Sequence, residues 1–124
     1  VLKTSRGLLL RFSDPALFDL GRADLTGDAL RILDKIFPLL KHLPNPIEAE
    51  GHTDDLPIRS SLFPSNWELS TARATSVVRY FVEAHQMSPE RLTARGMGEY
   101  RPLSPNVPRR GQPKNRRVEI NILR

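Results

Sequence analysis

Apolar residues recur along this chain with two different periods, and the switches between them divide it into strands and helices. Gly7-Leu8-Leu9-Leu10-Arg11-Phe12 is a short apolar run closed by Ser13-Asp14-Pro15, which predicts a first strand. Between about Asp24 and His42, the residues Leu25, Ala29, Ile32, Leu33, Ile36, Phe37 and Leu40 return at helical spacing. Pro38 lies inside that run and removes a backbone donor, at a cost of about 3 kcal/mol in a helix interior, so a kink or early end is expected there. Pro44-Asn45-Pro46 breaks the chain, and Pro46 to Gly51 reads as a second strand. Leu56 to Pro64 shows no periodicity and reads as a loop. Ser65 with Glu68 three residues later forms a capping box, which starts a second helix near Asn66 that runs to about His85.

Leu92 to Gly96 predicts a third strand. Residues 98–116 hold four prolines and two glycines, and read as a long loop with at most one helical turn. Arg117-Val118-Glu119-Ile120-Asn121-Ile122-Leu123 alternates polar and apolar with period two, the pattern of a half-buried final strand. Strands alternating with helices predict a single α/β domain over residues 1–124: a two-layer sandwich with helices packed on one mixed four-stranded sheet.

Composition narrows the classes. The chain has 124 residues, 39% hydrophobic, with no apolar run near the ~20 residues a membrane span needs. No signal-peptide pattern begins it. With no cysteine, a disulfide framework and a thiolate metal site are both excluded. The net charge of +5 is uneven: residues 1–87 carry 10 basic and 11 acidic side chains, residues 88–124 carry 9 and 3. Arg109, Arg110, Lys114, Arg116 and Arg117 form the basic end, which favours an anionic partner. A basic nucleic-acid-binding module is one candidate, but the interleaved aromatics of a single-strand platform are missing there.

Arg73 is the most informative single residue. It lies one turn after Leu69 and one turn before Val77, on the apolar face of the second helix. Either its stem covers apolar surface while its head reaches water, or its planar fork receives an anion. Asp54, where the second strand ends, is the expected companion. The two either form a structural salt bridge or stand apart and hold the two ends of a zwitterion. In the latter case Asp54 takes an ammonium and Arg73 a carboxylate, both charges face the ligand, and replacing either leaves the fold intact. His52, Asp54 and Asp55 raise a metal site or a hydrolase, but His42 and His85 have no ligand spacing. Ser60, Ser61, Ser65 and Ser70 lack a nucleophile elbow. No metal, cofactor or catalytic role is expected, and His52 is expected to be packed or hydrogen-bonded beneath the loop.

Four blocks occur in order: Gly51-His52-Thr53-Asp54, Asn66-Trp67-Glu68-Leu69-Ser70-Thr71-Ala72-Arg73-Ala74, Gly96-Met97-Gly98-Glu99 and Asn115-Arg116-Arg117-Val118-Glu119-Ile120. Together they resemble the OmpA-like peptidoglycan-binding domain over essentially the whole chain. Gly51-His52-Thr53-Asp54-Asp55-Leu56-Pro57-Ile58, the long stretch before Asn66 and Arg101-Pro102-Leu103 make it most similar to the periplasmic domain of flagellar stator B subunits. The resemblance implies a non-catalytic wall anchor that binds diaminopimelate-containing peptidoglycan stems. It places Asp54 and Arg73 on the ligand, with Thr53, Asn66 and Leu69 shaping the pocket. Asn115 and Arg117 are expected to border it, although Arg117 could instead pair with a carboxylate beneath the last strand. It further implies a homodimer, a stator A subunit and motor components reached through parts outside this sequence, and a membrane anchor and linker before Val1. A general envelope tether with the same chemistry is the alternative. The loop from Leu56 to Pro64 is longer than in outer-membrane and lipoprotein members and is expected to gate the pocket.

Overall fold

The computed structural model describes residues 1–58 and 62–124. Its elements are β1 (Leu2–Thr4), β2 (Gly7–Ser13), α1 (Asp14–Leu17), α2 (Gly27–His42), β3 (Ile47–His52), α3 (Asn66–His85), β4 (Leu92–Gly96) and β5 (Arg117–Leu123). Single 3-10 turns at Pro89–Arg91 and Pro113–Asn115 precede β4 and β5. The sheet order is β1-β2-β5-β3-β4, with β3 and β4 parallel and every other pair antiparallel. The expected mixed α/β sandwich is therefore present, with five strands in place of four. The extra strand is Leu2-Lys3-Thr4, too short to show an alternation of its own. It folds back on β2 as a hairpin.

Helix boundaries follow side-chain chemistry. Thr26 caps α2 by accepting from the Ala29 amide at 3.1 Å, so the helix starts at Gly27 and not at Asp24. Pro38 does not end it, and α2 runs on to His42. The proline sits on the exposed side, where the carbonyl deprived of its partner can turn to water. Ser65 caps α3 through the Trp67 amide at 3.1 Å, and Gln86 closes that helix in the left-handed region at φ 55°.

Parity along the strands sorts the two faces of the sheet. Leu10, Ile47, Ala49, Val118, Ile120 and Ile122 face the helices and meet Leu33, Leu40, Ala74, Val77 and Phe81 in one core. Near the C-terminal end of β3, a Cβ on Gly51 would stand 2.1 Å from the Ser70 carbonyl oxygen. Only glycine lets α3 come this close, and this contact sets the start of α3 against the end of β3.

Among the described residues, no helix covers the other face. It carries a row across four strands, Arg11–Glu119–Glu50–Arg95. Two carboxylates directly opposite one another would repel. Arginines answer them: Arg11 and Arg117 reach Glu119 at 3.0 and 2.7 Å, while Arg6 and Arg95 each lie 3.4 Å from Glu50. The sheet thus meets solvent through a lattice of paired charges in place of an apolar surface.

Candidate functional site

The helix-side ends of three strands converge beside the first half of α3, and a cleft of about 540 Å³ opens between them. Asp14 follows β2, Thr53 and Asp54 follow β3, and Arg116 precedes β5. Asn66, Leu69 and Arg73 come from α3. Leu56, Pro57, Ile58 and Leu62 form a wall on the loop side. The centre of that loop, Arg59 to Ser61, lies outside the described residues, as do the Ser60 and Ser61 hydroxyls considered above.

Arg73 neither snorkels nor pairs with Asp54. Its side chain is 5% exposed, and its guanidinium is bonded to the Asp14 carboxylate. Nε donates to the Arg22 carbonyl at 2.8 Å, a second nitrogen donates to the Asp19 carbonyl at 3.3 Å, and the Phe18 ring lies 4.7 Å beneath. Burial pushes the Asp14 carboxyl up and the Arg73 guanidinium down, each against the pull of its partner. Arg73 therefore ties α3 to residues 14–22. This corrects the expectation that its removal would leave the fold untouched.

Asp54 has a different set of partners. One oxygen accepts from the Leu56 amide at 3.3 Å; the other accepts from the Gln112 amide at 3.2 Å and from Arg116 at 3.0 Å. Gly111 makes this approach possible: at φ +68° its missing Cβ would stand 2.2 Å from that second oxygen. Arg116 also lies 3.9 Å from Asp14. The cleft thus alternates Arg73, Asp14, Arg116 and Asp54, and with Arg22 its described residues set three guanidiniums against two carboxylates.

The remaining expected residues divide. Asn66 donates to the carbonyls of Asp54 and Leu56 at 3.3 and 3.0 Å, fixing the chain after β3. Thr53 donates its hydroxyl to the Asp54 carbonyl at 2.8 Å, and Leu69 packs on the cleft wall. Asn115 and Arg117 do not line the cleft. Asn115 is fully buried and holds the preceding loop, accepting from the Leu103 and Ser104 amides and donating to the Ser104 carbonyl. Arg117 points to the opposite face, bonded to Glu119 at 2.7 Å and to the carbonyls of Asn115 and Arg101. Asp14 and Arg116 are the residues that sequence reasoning missed. Parity could have found them: Asp14 continues the phase of Leu8, Leu10 and Phe12, and Arg116 that of Val118, Ile120 and Ile122, all toward the helices.

His52 lies on the solvent-side face, with Nε2 3.3 Å from Glu50 and Nδ1 buried without a hydrogen-bond partner among the described residues. Its hydrogen bond is the main force holding the Glu50 carboxyl down, to about 2. Glu50, His52 and Glu119 bring possible ligand atoms within 4.8 Å of one another. Their carboxylates are already taken by Arg6, Arg95, Arg11 and Arg117, and a cation there would have to displace guanidiniums that repel it.

Residues 17–116 match the OmpA family. The chain belongs to that family. Motility protein B of Bacillus subtilis is 39% identical over 121 residues, which cover 97% of this chain and 46% of that protein. The chain spans about half the length of the curated relatives it matches. The crystal structure of the periplasmic domain of Helicobacter pylori MotB superposes with a TM-score of 0.83 at 28% identity, covering 96% of this chain and 83% of that one. The cell wall anchor of the type VI secretion system from Pseudomonas aeruginosa superposes at 0.85 with 30% identity, covering 93% and 80%. This OmpA-family domain shares its fold with both kinds of protein, and its Asp14 falls just outside the matched stretch.

Proposed function

We propose that this domain binds peptidoglycan without catalysis, by gripping the free amino acid centre of a diaminopimelate stem, and so anchors a flagellar stator to the wall. The alternating charges of the cleft carry this reading. A carbon bearing both ammonium and carboxylate needs an acid and a forked base held apart on rigid elements, and Asp54 and Arg73 supply them. Arg73 has five N–H bonds, and its three acceptors among the described residues leave two for a ligand carboxylate. Among the described residues, three of roughly four acceptor positions on Asp54 are taken, which leaves one for an ammonium. Thr53, Asn66 and Leu69 shape the pocket, and Asp14 and Arg116 hold the two principal charges in position. Asn115 and Arg117 act at a distance, by fixing the loop and strand that carry Arg116.

The domain works in the periplasm on an inner-membrane protein, as a homodimer, with a stator A subunit reached through segments outside this sequence. Motility protein B and the periplasmic domain of MotB support the stator. The cell wall anchor of a secretion system supports the second reading, a general envelope tether with the same cleft. An acidic residue in a membrane helix upstream of Val1 would favour the stator.

Matched stem peptides with diaminopimelate or lysine at the third position test the ligand. Lysine keeps the ammonium and lacks the adjacent carboxylate. A hydrogen bond to a charged group is worth about 1.5–3 kcal/mol, so diaminopimelate should bind roughly ten- to hundredfold tighter. Equal affinities in calorimetry would remove Arg73 from the ligand and sink the proposal.

A further inference from the structure

Beside the charged cleft lies a second groove of about 510 Å³, lined by Leu62, Phe63, Trp67, Glu68, Thr71 and Ala72. Leu62 lines both cavities. At this groove Trp67, 49% exposed, stacks on Tyr100, 54% exposed, with centroids 5.0 Å apart and planes 24° from parallel. Two large aromatic rings stacked on each other and half open to water need an account. The pair is firmly placed. The Trp67 amide belongs to the α3 cap, and the turn leading to Tyr100 is bonded through Gly98, whose amide donates to the Ser70 hydroxyl at 3.0 Å. The Gly98 carbonyl accepts from the amide of Thr53, in the cleft wall, at 2.9 Å.

We infer that Trp67 and Tyr100 form a sugar-stacking subsite for the glycan strand of the same polymer whose stem peptide enters the cleft. This rests on the proposed function and extends it to the carbohydrate. An aromatic face is the negative side of a quadrupole, and the C–H edges of a pyranose are weakly positive and apolar. Glu68 and Thr71 on the rim supply acceptors for hydroxyl groups. Among the described residues that line it, the groove has one carboxylate and no base, which suits a neutral ring and disfavours a polyanion. Reach is sufficient, because three extended residues span about 10 Å and the two cavities share a wall.

Trp67 is the only tryptophan, so its emission reports on the groove directly. Tri-N-acetylchitotriose, a neutral β-1,4-linked amino-sugar oligomer, should shift that emission saturably, and Tyr100→Ala should weaken the response. A stem tripeptide joined to its disaccharide should bind roughly tenfold tighter than the bare tripeptide. Tyr100→Ala should erase that ratio while keeping the affinity for the bare tripeptide. A sugar response without tripeptide binding would refute the stem-peptide reading and leave the sugar subsite standing. The subsite is overturned by a silent emission with equal affinities. It is equally overturned if Tyr100→Ala weakens both ligands alike, or if Tyr100→Ala abolishes self-association in sedimentation, which would assign the aromatic pair to a contact between two copies of the chain.

Discussion

Replacing Arg73 by alanine should unfold the domain more readily as well as abolish binding, and the two effects can be separated. The side chain is 5% exposed, and its removal leaves Asp14, 9% exposed, with only Arg116 at 3.9 Å to answer its charge. Breaking a buried pair from one side costs about 3–5 kcal/mol, because the remaining charge stays desolvated. For a domain of this size that is roughly 10–20 °C in melting temperature. Asp14→Asn removes the stranded charge, so the double variant should lose less than the sum of the single losses, with a coupling of about 0.5–3 kcal/mol. Acid should act in the same direction, since protonating Asp14 relieves the penalty in Arg73→Ala. Arg73→Lys keeps a cation beside Asp14 but loses the fork; it should recover much of the stability while leaving the affinity for diaminopimelate peptides low. Thermal unfolding by circular dichroism and calorimetric titration of all four variants give the answer. Additive losses from Asp14→Asn and Arg73→Ala, or an unchanged melting temperature in Arg73→Ala, would refute the buried pair.

Gly111→Ala should cost about 1–3 kcal/mol through its positive φ and its contact with Asp54, and more than Gly21→Ala, where φ is +66° but nothing lies within 4 Å. Equal urea midpoints for the two variants would show that the contact contributes nothing. The Glu50 carboxyl, held down to about 2 from an ordinary 4.5, contributes stability that is complete above 4.5 and is lost as pH falls toward 2. Glu50→Gln should therefore flatten the fall in stability across that window, measured by urea unfolding at each pH. Shortening residues 56–64 to a tight turn should raise the affinity for stem peptides, since Leu56, Pro57, Ile58 and Leu62 wall the cleft. Unchanged affinity in a folded deletion would assign the loop to another contact.

Much of the fold was legible because period and parity are local properties. The alternation from Arg117 to Leu123 and the Ser65–Glu68 cap each placed an element to the residue. Pro38 does not end its helix, because the penalty depends on whether the carbonyl left without a donor faces water, and a sequence does not say which side is wet. Arg73 was rightly singled out as a charge on an apolar face. Its partner was not, because Asp14 lies 59 positions away and reaches it only once β2 is laid beside β5. Arg117 was preferred over Arg116 by motif alone, although counting back from Val118 in steps of two would have chosen the neighbour.

The register of β2 against β5 also fixes how the domain meets force. Gly7 pairs with Leu123 at one end of the ladder and Ser13 with Arg117 at the other, and the cleft lies at the Ser13 end. A pull between the Gly7 end and a ligand in the cleft acts along the strand. The three residues of β1 would peel away first, after which all seven pairs of the β2–β5 ladder would be loaded together. Shear of this kind must break its bonds at once, whereas prying residues 7 and 123 apart breaks them one after another. Single-molecule pulling from residues 7 and 117 should therefore need a markedly higher rupture force than pulling from residues 7 and 123, and equal forces would rule out a tether strengthened by its own direction of load.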